Sequence, residues 1–484
     1  MSNIKKNFIY NSFYQVLTIL TPLLTTPYIS RVLGAGGIGV FSYEYSIASY
    51  FQMFAILGMS NYGRRSIAEV HGGKDELSAT FWSIYAVQFF FSIIVIFAYL
   101  FYIIAFAETK ILGYIMLTYV VAGMFDINWF YFGLEKFKFT TIRNTIIKFL
   151  TVFSIFVFVQ SENDIFQYSA IYCVGALISQ LFLWLYLPKY ISLVRIHFVD
   201  CKKHIIPNFI LFIPIIAVSL YKTMDKIMLG YMTNLRQVGL YQNSENILQV
   251  PMSLVQSLGA VMMPRIANII SSKQSKENVS EYMRKSIAIA LFIASSIGFG
   301  IMTVGQEFVS VFFGPGFEEC VLLLDILLPS CIFLAFANVI RTQYLIPYKR
   351  DKIFVITVFY GAIVNLIMNY ILIPRYQCFG AAVATFFAEF VVCISQSIYV
   401  RKNIEIHNYI RISIPFVMSG VIMFILIHNV FYYVGNIFLR MFIKIILGIM
   451  VYFVSLILLL YIGKKIGWNN SLSLNLLKQI KKTK

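Results

Sequence analysis

Apolar residues run in blocks of about twenty along nearly the whole chain, with short stretches rich in Lys and Arg between them. Fourteen blocks reach the length of a spanning helix, at about 8–30, 40–62, 78–106, 111–133, 140–160, 166–188, 207–232, 239–263, 284–305, 320–346, 353–373, 379–400, 411–430 and 440–463. Apolar side chains surround most of these helices, so block length assigns them, not periodicity. The pattern predicts an all-α, polytopic membrane protein of about 14 transmembrane helices.

The polar stretches set the orientation. With the N-terminus inside, the inner connections hold 29 of the 39 Lys and Arg, and the outer ones hold Arg31, Lys110, Arg236, Arg375 and Arg440. Cationic residues stay on the cytoplasmic side, so both termini are expected there. Residues 189–206 are the natural divider between an N-terminal lobe, 1–188, and a C-terminal lobe, 207–400. Residues 401–484 add two helices and a basic tail. Weak internal similarity joins the lobes: Arg31-Val-Leu-Gly34 with Gly39-Val-Phe41 aligns with Met228-Leu-Gly230 with Gly239-Leu-Tyr241, given a four-residue insertion in the second copy. Helices one and seven enter the membrane in the same direction. The two six-helix lobes therefore form a parallel repeat with a pseudo-twofold axis along the membrane normal.

Composition agrees. The chain is 59% hydrophobic and only 12% charged, with a mean hydropathy of +0.78, whereas soluble domains carry about 25% charged residues. A net charge of +18 reflects orientation here, so nucleic acid is not an expected partner. The six cysteines form no C-x-x-C and the five histidines no H-E-x-x-H. No metal or other cofactor is expected. Residues Met1–Lys6 lack the features of a cleaved signal and are expected to be a retained tail. The feature that points to chemistry is Lys222, Asp225 and Lys226, on one face near the end of the seventh block. A charge at the centre of a bilayer costs about 2.5–3.5 kcal/mol on insertion scales. Three together suggest transport of a polar, anionic cargo.

Several stretches resemble a known family. They are Thr25-Thr-Pro-Tyr-Ile-Ser-Arg-Val-Leu-Gly34, Gly37-Ile-Gly39, Tyr50-Phe51, Tyr62-Gly63-x-Arg65, Asp225-Lys-Ile-Met-Leu-Gly230, Val238-Gly-Leu-Tyr241, Ile373-Pro374, and Gly380-Ala-Ala-x-Ala-Thr385-x-x-x-Glu389. In this order they resemble the polysaccharide transporter family, the O-antigen and capsule repeat-unit flippases of the multidrug/oligosaccharidyl-lipid/polysaccharide exporter superfamily. The resemblance covers about residues 7–400. It implies a central cavity between the lobes, alternating access, and a polyprenyl-diphosphate-linked oligosaccharide as cargo in the bacterial cytoplasmic membrane. It also implies, as partners, membrane lipid and the cognate polymerase and chain-length regulator.

Two readings are open for each buried charge. Lys222 lies about 22 Å along its helix, ~8 Å short of the edge of a ~30 Å core. An interfacial ion pair fits that depth. So does a diphosphate site, because Asp225 offsets only one of Lys222 and Lys226. Arg31 either caps its helix or offers a second phosphate contact. Lys148 and Arg341 either pair with a carboxylate such as Asp126 or meet the diphosphate on entry. Glu389, near the midplane, either holds helices together or binds a proton during the cycle. Asp225, Glu44 and Glu245 are further coupling candidates. Asn243, Asn246 and Gln249 offer amides to sugars or bridge helices. Pro22, Pro27, Pro214 and Pro251 are expected to interrupt helices one, seven and eight. The C-terminal lysines Lys478, Lys481, Lys482 and Lys484 suit an amphipathic segment on anionic lipid. The rivals are a drug/cation antiporter, a lipid-linked peptidoglycan precursor flippase, and a membrane polymerase or ligase. The antiporter would want carboxylates without surplus lysine. The polymerase or ligase would want a long outer loop carrying catalytic residues, and no outer connection here is long. An enzyme is not expected.

Overall fold

A computed structural model describes residues 2–70, 73–272, 276–430 and 435–465. Among them every regular element is helical. The tail lysines Lys478, Lys481, Lys482 and Lys484 lie outside the described residues. Eleven of the described helices are long and apolar enough to cross a membrane. The chain divides into two compact units, Met1–Gly239 and Leu240–Lys484.

The first unit contains α1 (Ser2–Ile56), α2 (Met59–Ala68), α3 (Gly73–Ala105), α4 (Lys110–Met124), α5 (Asn128–Gly133), α6 (Phe137–Phe158), α7 (Ile165–Trp184), the short α8 (Phe198–Lys202) and α9 (Ile205–Met232). The helix α10 (Leu235–Ser271) starts at its edge. The second unit takes the rest of α10, then α11 (Lys276–Thr303), α12 (Gly305–Phe312), α13 (Cys320–Leu327), α14 (Ser330–Ile340), a π turn over Arg341–Leu345, α15 (Asp351–Val400), α16 (Ile406–Ile427) and α17 (Ile437–Lys465).

Two elements each join a pair of expected segments across a break that falls in the expected connection. The 55 residues of α1 hold the segments 8–30 and most of 40–62. The 50 residues of α15 hold 353–373 and 379–400. Straight, each would be at least ~75 Å long, more than twice a ~30 Å hydrocarbon core. Both are broken by one residue of positive φ, Gly34 (φ 64) in α1 and Gln377 (φ 51) in α15. In α15 the break is a reversal: a Cβ on Gly380 would stand 2.5 Å from the carbonyl oxygen of Leu372, eight residues away in sequence. The expected proline interruptions are corrected. Pro22, Pro27, Pro214 and Pro251 all lie inside continuous helices. A membrane helix tolerates the lost hydrogen bond, whereas a left-handed residue turns the backbone outright.

The core of the first unit explains why so many of its residues are aromatic. Phe81, Tyr85, Trp129, Phe130, Tyr131, Leu183 and Leu187 form one buried cluster, with Phe81 stacked 5.3 Å from Trp129. A second cluster joins Phe41, Ile47, Tyr99, Ile103, Met116, Val120 and Cys173. The six cysteines are all free thiols.

Candidate functional site

In the first unit, the second half of α1 runs antiparallel to α9 and touches it at regular steps. Tyr43 lies flat on Gly230, where a Cβ would overlap its ring. The Tyr50 hydroxyl donates to the Ser219 carbonyl at 2.9 Å. Phe54 meets Phe212 with ring centroids 5.3 Å apart. Gly58 sits against Asn208, and the Tyr62 hydroxyl pairs with Nδ1 of His204 at 2.6 Å. The other ring nitrogen of His204 pairs with Ser83 Oγ at 3.0 Å. Beyond Tyr43, Gly39 meets Leu235 and Gly239 of α10. A Cβ on Gly39 would overlap the Leu235 carbonyl, and a Cβ on Gly239 would overlap the Ala35 carbonyl. The two glycines that align in the repeat therefore lie against each other, each against the residue four before its counterpart.

The motif residues are thus the points where helices approach closely. Gly63 completes the pattern, since a Cβ there would stand 2.6 Å from the Trp129 indole. Small residues allow such approach between membrane helices.

This packing sets the exposure of the charges. Asp225 is 1% exposed, on the stretch of α9 between the Tyr50 and Tyr43 contacts. Lys222 is exposed and Lys226 half-buried. The three charges at i, i+3 and i+4 are therefore not equivalent. The carboxylate is sunk into the protein, while Lys222 reaches outward. Arg31 is exposed one turn before the break at Gly34, its Nη1 3.5 Å from the Pro27 carbonyl. Glu44, next to Tyr43, is buried, and its Oε2 has no hydrogen-bond partner among the described residues. Lys148 is half-buried on α6. Asp126, its suggested partner, accepts from the backbone N–H of Asn128 at 2.8 Å and from its side-chain amide at 2.7 Å. Asn128 in turn accepts from Arg143 at 2.9 Å. Arg143, counted by sequence as an inner-connection charge, is buried in this network with Gln180 and the Ser179 carbonyl.

The second unit holds the other candidates. Glu389 is buried in the second half of α15. One turn before it, Thr385 Oγ1 lies 2.8 Å from the Tyr241 hydroxyl of α10. Glu245 is half-buried. Among the amides near it, Asn243 is buried, Asn246 accepts from Gln242 at 2.9 Å, and Gln249 is exposed. Arg341 opens the π turn, its guanidinium 5.6 Å over the Phe354 ring.

One charged cluster escaped the sequence reading. Glu307, at the start of α12, is fully buried and paired with Arg440 at 2.7 Å and Lys444 at 2.9 Å. Lys444 also donates to the His428 carbonyl at 2.8 Å, and His428 Nδ1 lies 3.1 Å from the Met302 carbonyl. The cluster ties α17 to the α11–α12 junction and to the end of α16. The signal was present in part: Arg440 and Lys444 are four apart on one face of an apolar helix, a costly arrangement without a carboxylate opposite.

Comparison with known proteins identifies the kind of protein this is. The family model described as polysaccharide biosynthesis protein matches residues 4–270. A protein named for O-antigen transport in Escherichia coli (strain K12) is 23% identical over 413 residues, covering 83% of this chain and 97% of that one. A protein of Haloferax volcanii named as the low-salt glycan biosynthesis flippase Agl15 is 25% identical over 186 residues, covering 38% of this chain and 39% of that one. Among solved structures, lipid II flippase MurJ superposes with a TM-score of 0.70 at 16% identity, over 93% of this chain and 97% of that one. A multidrug resistance MATE family transporter of the MOP superfamily gives 0.60 at 12% identity, over 80% and 94%. At such identities these two establish the fold. The relatives are transporters and flippases, not enzymes, and the chain belongs to the polysaccharide biosynthesis protein family of membrane transporters.

Proposed function

We propose that this protein is a flippase for polyprenyl-diphosphate-linked oligosaccharide repeat units of a surface polysaccharide. It moves them from the inner to the outer leaflet of the bacterial cytoplasmic membrane. The observation that carries the reading is the graded burial along α9: Asp225 sunk into the protein, Lys226 half-buried and Lys222 exposed. A lone buried carboxylate would favour a cationic drug, whereas the two lysines beside this one leave a positive surplus for a diphosphate. The family match and the flippase names among the relatives agree with it.

In this proposal residues 1–188 and 207–400 act as two six-helix lobes joined by 189–206, with both termini cytoplasmic. Arg31, Lys222 and Lys226 hold the phosphates. Lys148 and Arg341 meet them on entry. One of Asp225, Glu389, Glu44 and Glu245 takes up a proton in the cycle, or the membrane potential acts on the charges directly, at ~2.3 kcal/mol per charge per 100 mV. The lipid tail stays in the bilayer throughout, so the protein needs to enclose only the polar head.

The test is removal of the gene followed by assay of lipid-linked repeat units on each membrane face. Accumulation on the inner face with loss of surface glycan is the expected result. Normal outward movement with only the polymer shortened would overturn the proposal in favour of a polymerase. Reversing both charges, Lys222→Glu with Lys226→Glu, should abolish surface glycan while the protein still inserts. Unchanged glycan would return the lysines to an interfacial role.

A further inference from the structure

Consecutive helices joined by a short connection ordinarily pack on each other. The helix α11 instead packs chiefly on α16 and α14. Its N-terminal end and the C-terminal end of α10 line a cleft of about 460 Å³, formed by Arg265, Asn268, Ser272, Glu281, Tyr282 and Lys285. That volume lies within the ~300–1,000 Å³ of small-molecule sites. The cleft belongs wholly to the second unit. By the distribution of lysine and arginine it opens on the cytoplasmic side.

The lining is organised. Arg265 Nη2 donates to the Tyr282 hydroxyl at 2.7 Å, and its guanidinium carbon lies 4.5 Å from the centre of the same ring. The tyrosine thereby holds the guanidinium in place, with the rest of the planar fork left for an oxyanion. Lys285 Nζ pairs with Glu281 at 2.6 Å, so two cations face one carboxylate and an anion is favoured. The guanidinium covers one face of the Tyr282 ring, and Ile269 adds an apolar surface to the lining. Asn268 and Ser272 add an amide and a hydroxyl. A phosphorylated sugar needs this combination: a planar fork for the phosphate, an apolar surface for the C–H face of the ring, and short polar groups with a carboxylate for its hydroxyls.

We propose that this cleft is a docking site for the sugar-phosphate head of the lipid-linked glycan, occupied at the cytoplasmic face before translocation. The proposal rests on the flippase reading and adds a first, separate point of recognition. Docking that precedes translocation sets the half-saturating substrate concentration and leaves the maximal transport rate to the membrane-embedded charges.

The test uses the full chain in neutral phosphatidylcholine nanodiscs. The probe is a radiolabelled short-chain prenyl diphosphate bearing N-acetylglucosamine, with inorganic pyrophosphate and phosphatidylglycerol vesicles as competitors. Arg265→Ala and Tyr282→Ala should each weaken binding about tenfold or more, the scale of one charge-assisted hydrogen bond. Ser272→Trp, which fills the cleft and leaves the Arg265–Tyr282 pair intact, should do the same and guards against misfolding of the first two. In reconstituted transport these variants should raise the half-saturating concentration with the maximal rate retained. Lys226→Glu should act on the other parameter, lowering the maximal rate. Wild-type binding and transport in all three cleft variants would overturn the docking site and leave the flippase reading standing. Equal competition by phosphatidylglycerol would overturn it too, marking a phospholipid headgroup site. Equal competition by pyrophosphate would show that the sugar is not recognised and overturn that part. A wild-type protein that neither binds the probe nor moves lipid-linked glycan would take the flippase reading down with it.

Discussion

A methyl group added at Gly39 would enter the Leu235 carbonyl, and one added at Gly239 would enter the Ala35 carbonyl. Because the obstacle is backbone, no rotamer change relieves it. Gly39→Ala and Gly239→Ala should each lower stability by about 1–3 kcal/mol, read as thermal unfolding of the purified protein in detergent. Equal losses are expected, since the two contacts mirror each other, and an unshifted melting temperature in either variant would refute the contact. At the same scale, Glu307 is the carboxylate that allows Lys444 to be only 1% exposed. Glu307→Ala strands a buried ammonium and should cost about 3–5 kcal/mol. Adding Lys444→Met should recover part of the loss, because Arg440 at 16% side-chain exposure can turn to the membrane surface. A double variant no more stable than Glu307→Ala alone would argue that the pair does not hold α17 in place. Sequence made these two features legible to different degrees. Gly39 and Gly239 were visible as matching positions in a repeat, but matching says nothing of touching. Arg440 and Lys444 stand four apart on one apolar face, yet Arg440 read only as an outer-connection charge. Glu307 was not visible, because it sits at a helix break more than 130 residues away, where a carboxylate looks like an ordinary connection residue.

Among the elements, block length was a sufficient guide to where helices lie, since a bilayer demands about 20 apolar residues from any helix that crosses it. It also placed two breaks, since Gly34 and Gln377 fall in the gaps 31–39 and 374–378 between blocks, whereas proline was a poor guide. Pro22, Pro27, Pro214 and Pro251 carry the familiar breaker signal, yet the helices run through them. The chain turns instead at Gln377, a residue with no turn preference of its own that lies in the gap between two blocks. A non-glycine residue at φ 51, ψ −130 costs of order 1–3 kcal/mol. Gln377→Gly should therefore raise the unfolding temperature of the purified protein. Gln377→Val, β-branched and ill suited to positive φ, should lower it. A stabilised Val variant would mean that α15 does not reverse there. The same blindness applied to the motifs, whose glycines and tyrosines read as family marks but act as spacers between α1 and α9. Burial on that contact, invisible in any helical wheel of α9 alone, is what separates Asp225 from Lys222.

Across the whole molecule, the apolar blocks and the bias of Lys and Arg were enough to place the chain among polytopic helical membrane proteins, and the motif resemblance was needed to place it among transporters. The residues that would touch the cargo are harder to read, because a charge in a membrane helix looks the same whether it faces a ligand, a counter-ion or the interface. Both termini are expected on the cytoplasmic side, which reporter fusions at each end can check, and opposite signals would require an odd number of crossings. The reversal in α15 bears on how such a chain is made. Leu372 and Gly380 touch, and between them only residues 374–377 stand exposed in a row, a connection too short to hold the two halves apart. The two halves are therefore expected to enter lipid together as one hairpin. A glycosylation tag or protease site placed at Gln377 would then need linker residues on both sides to stand clear of the hairpin and report its native side of the membrane.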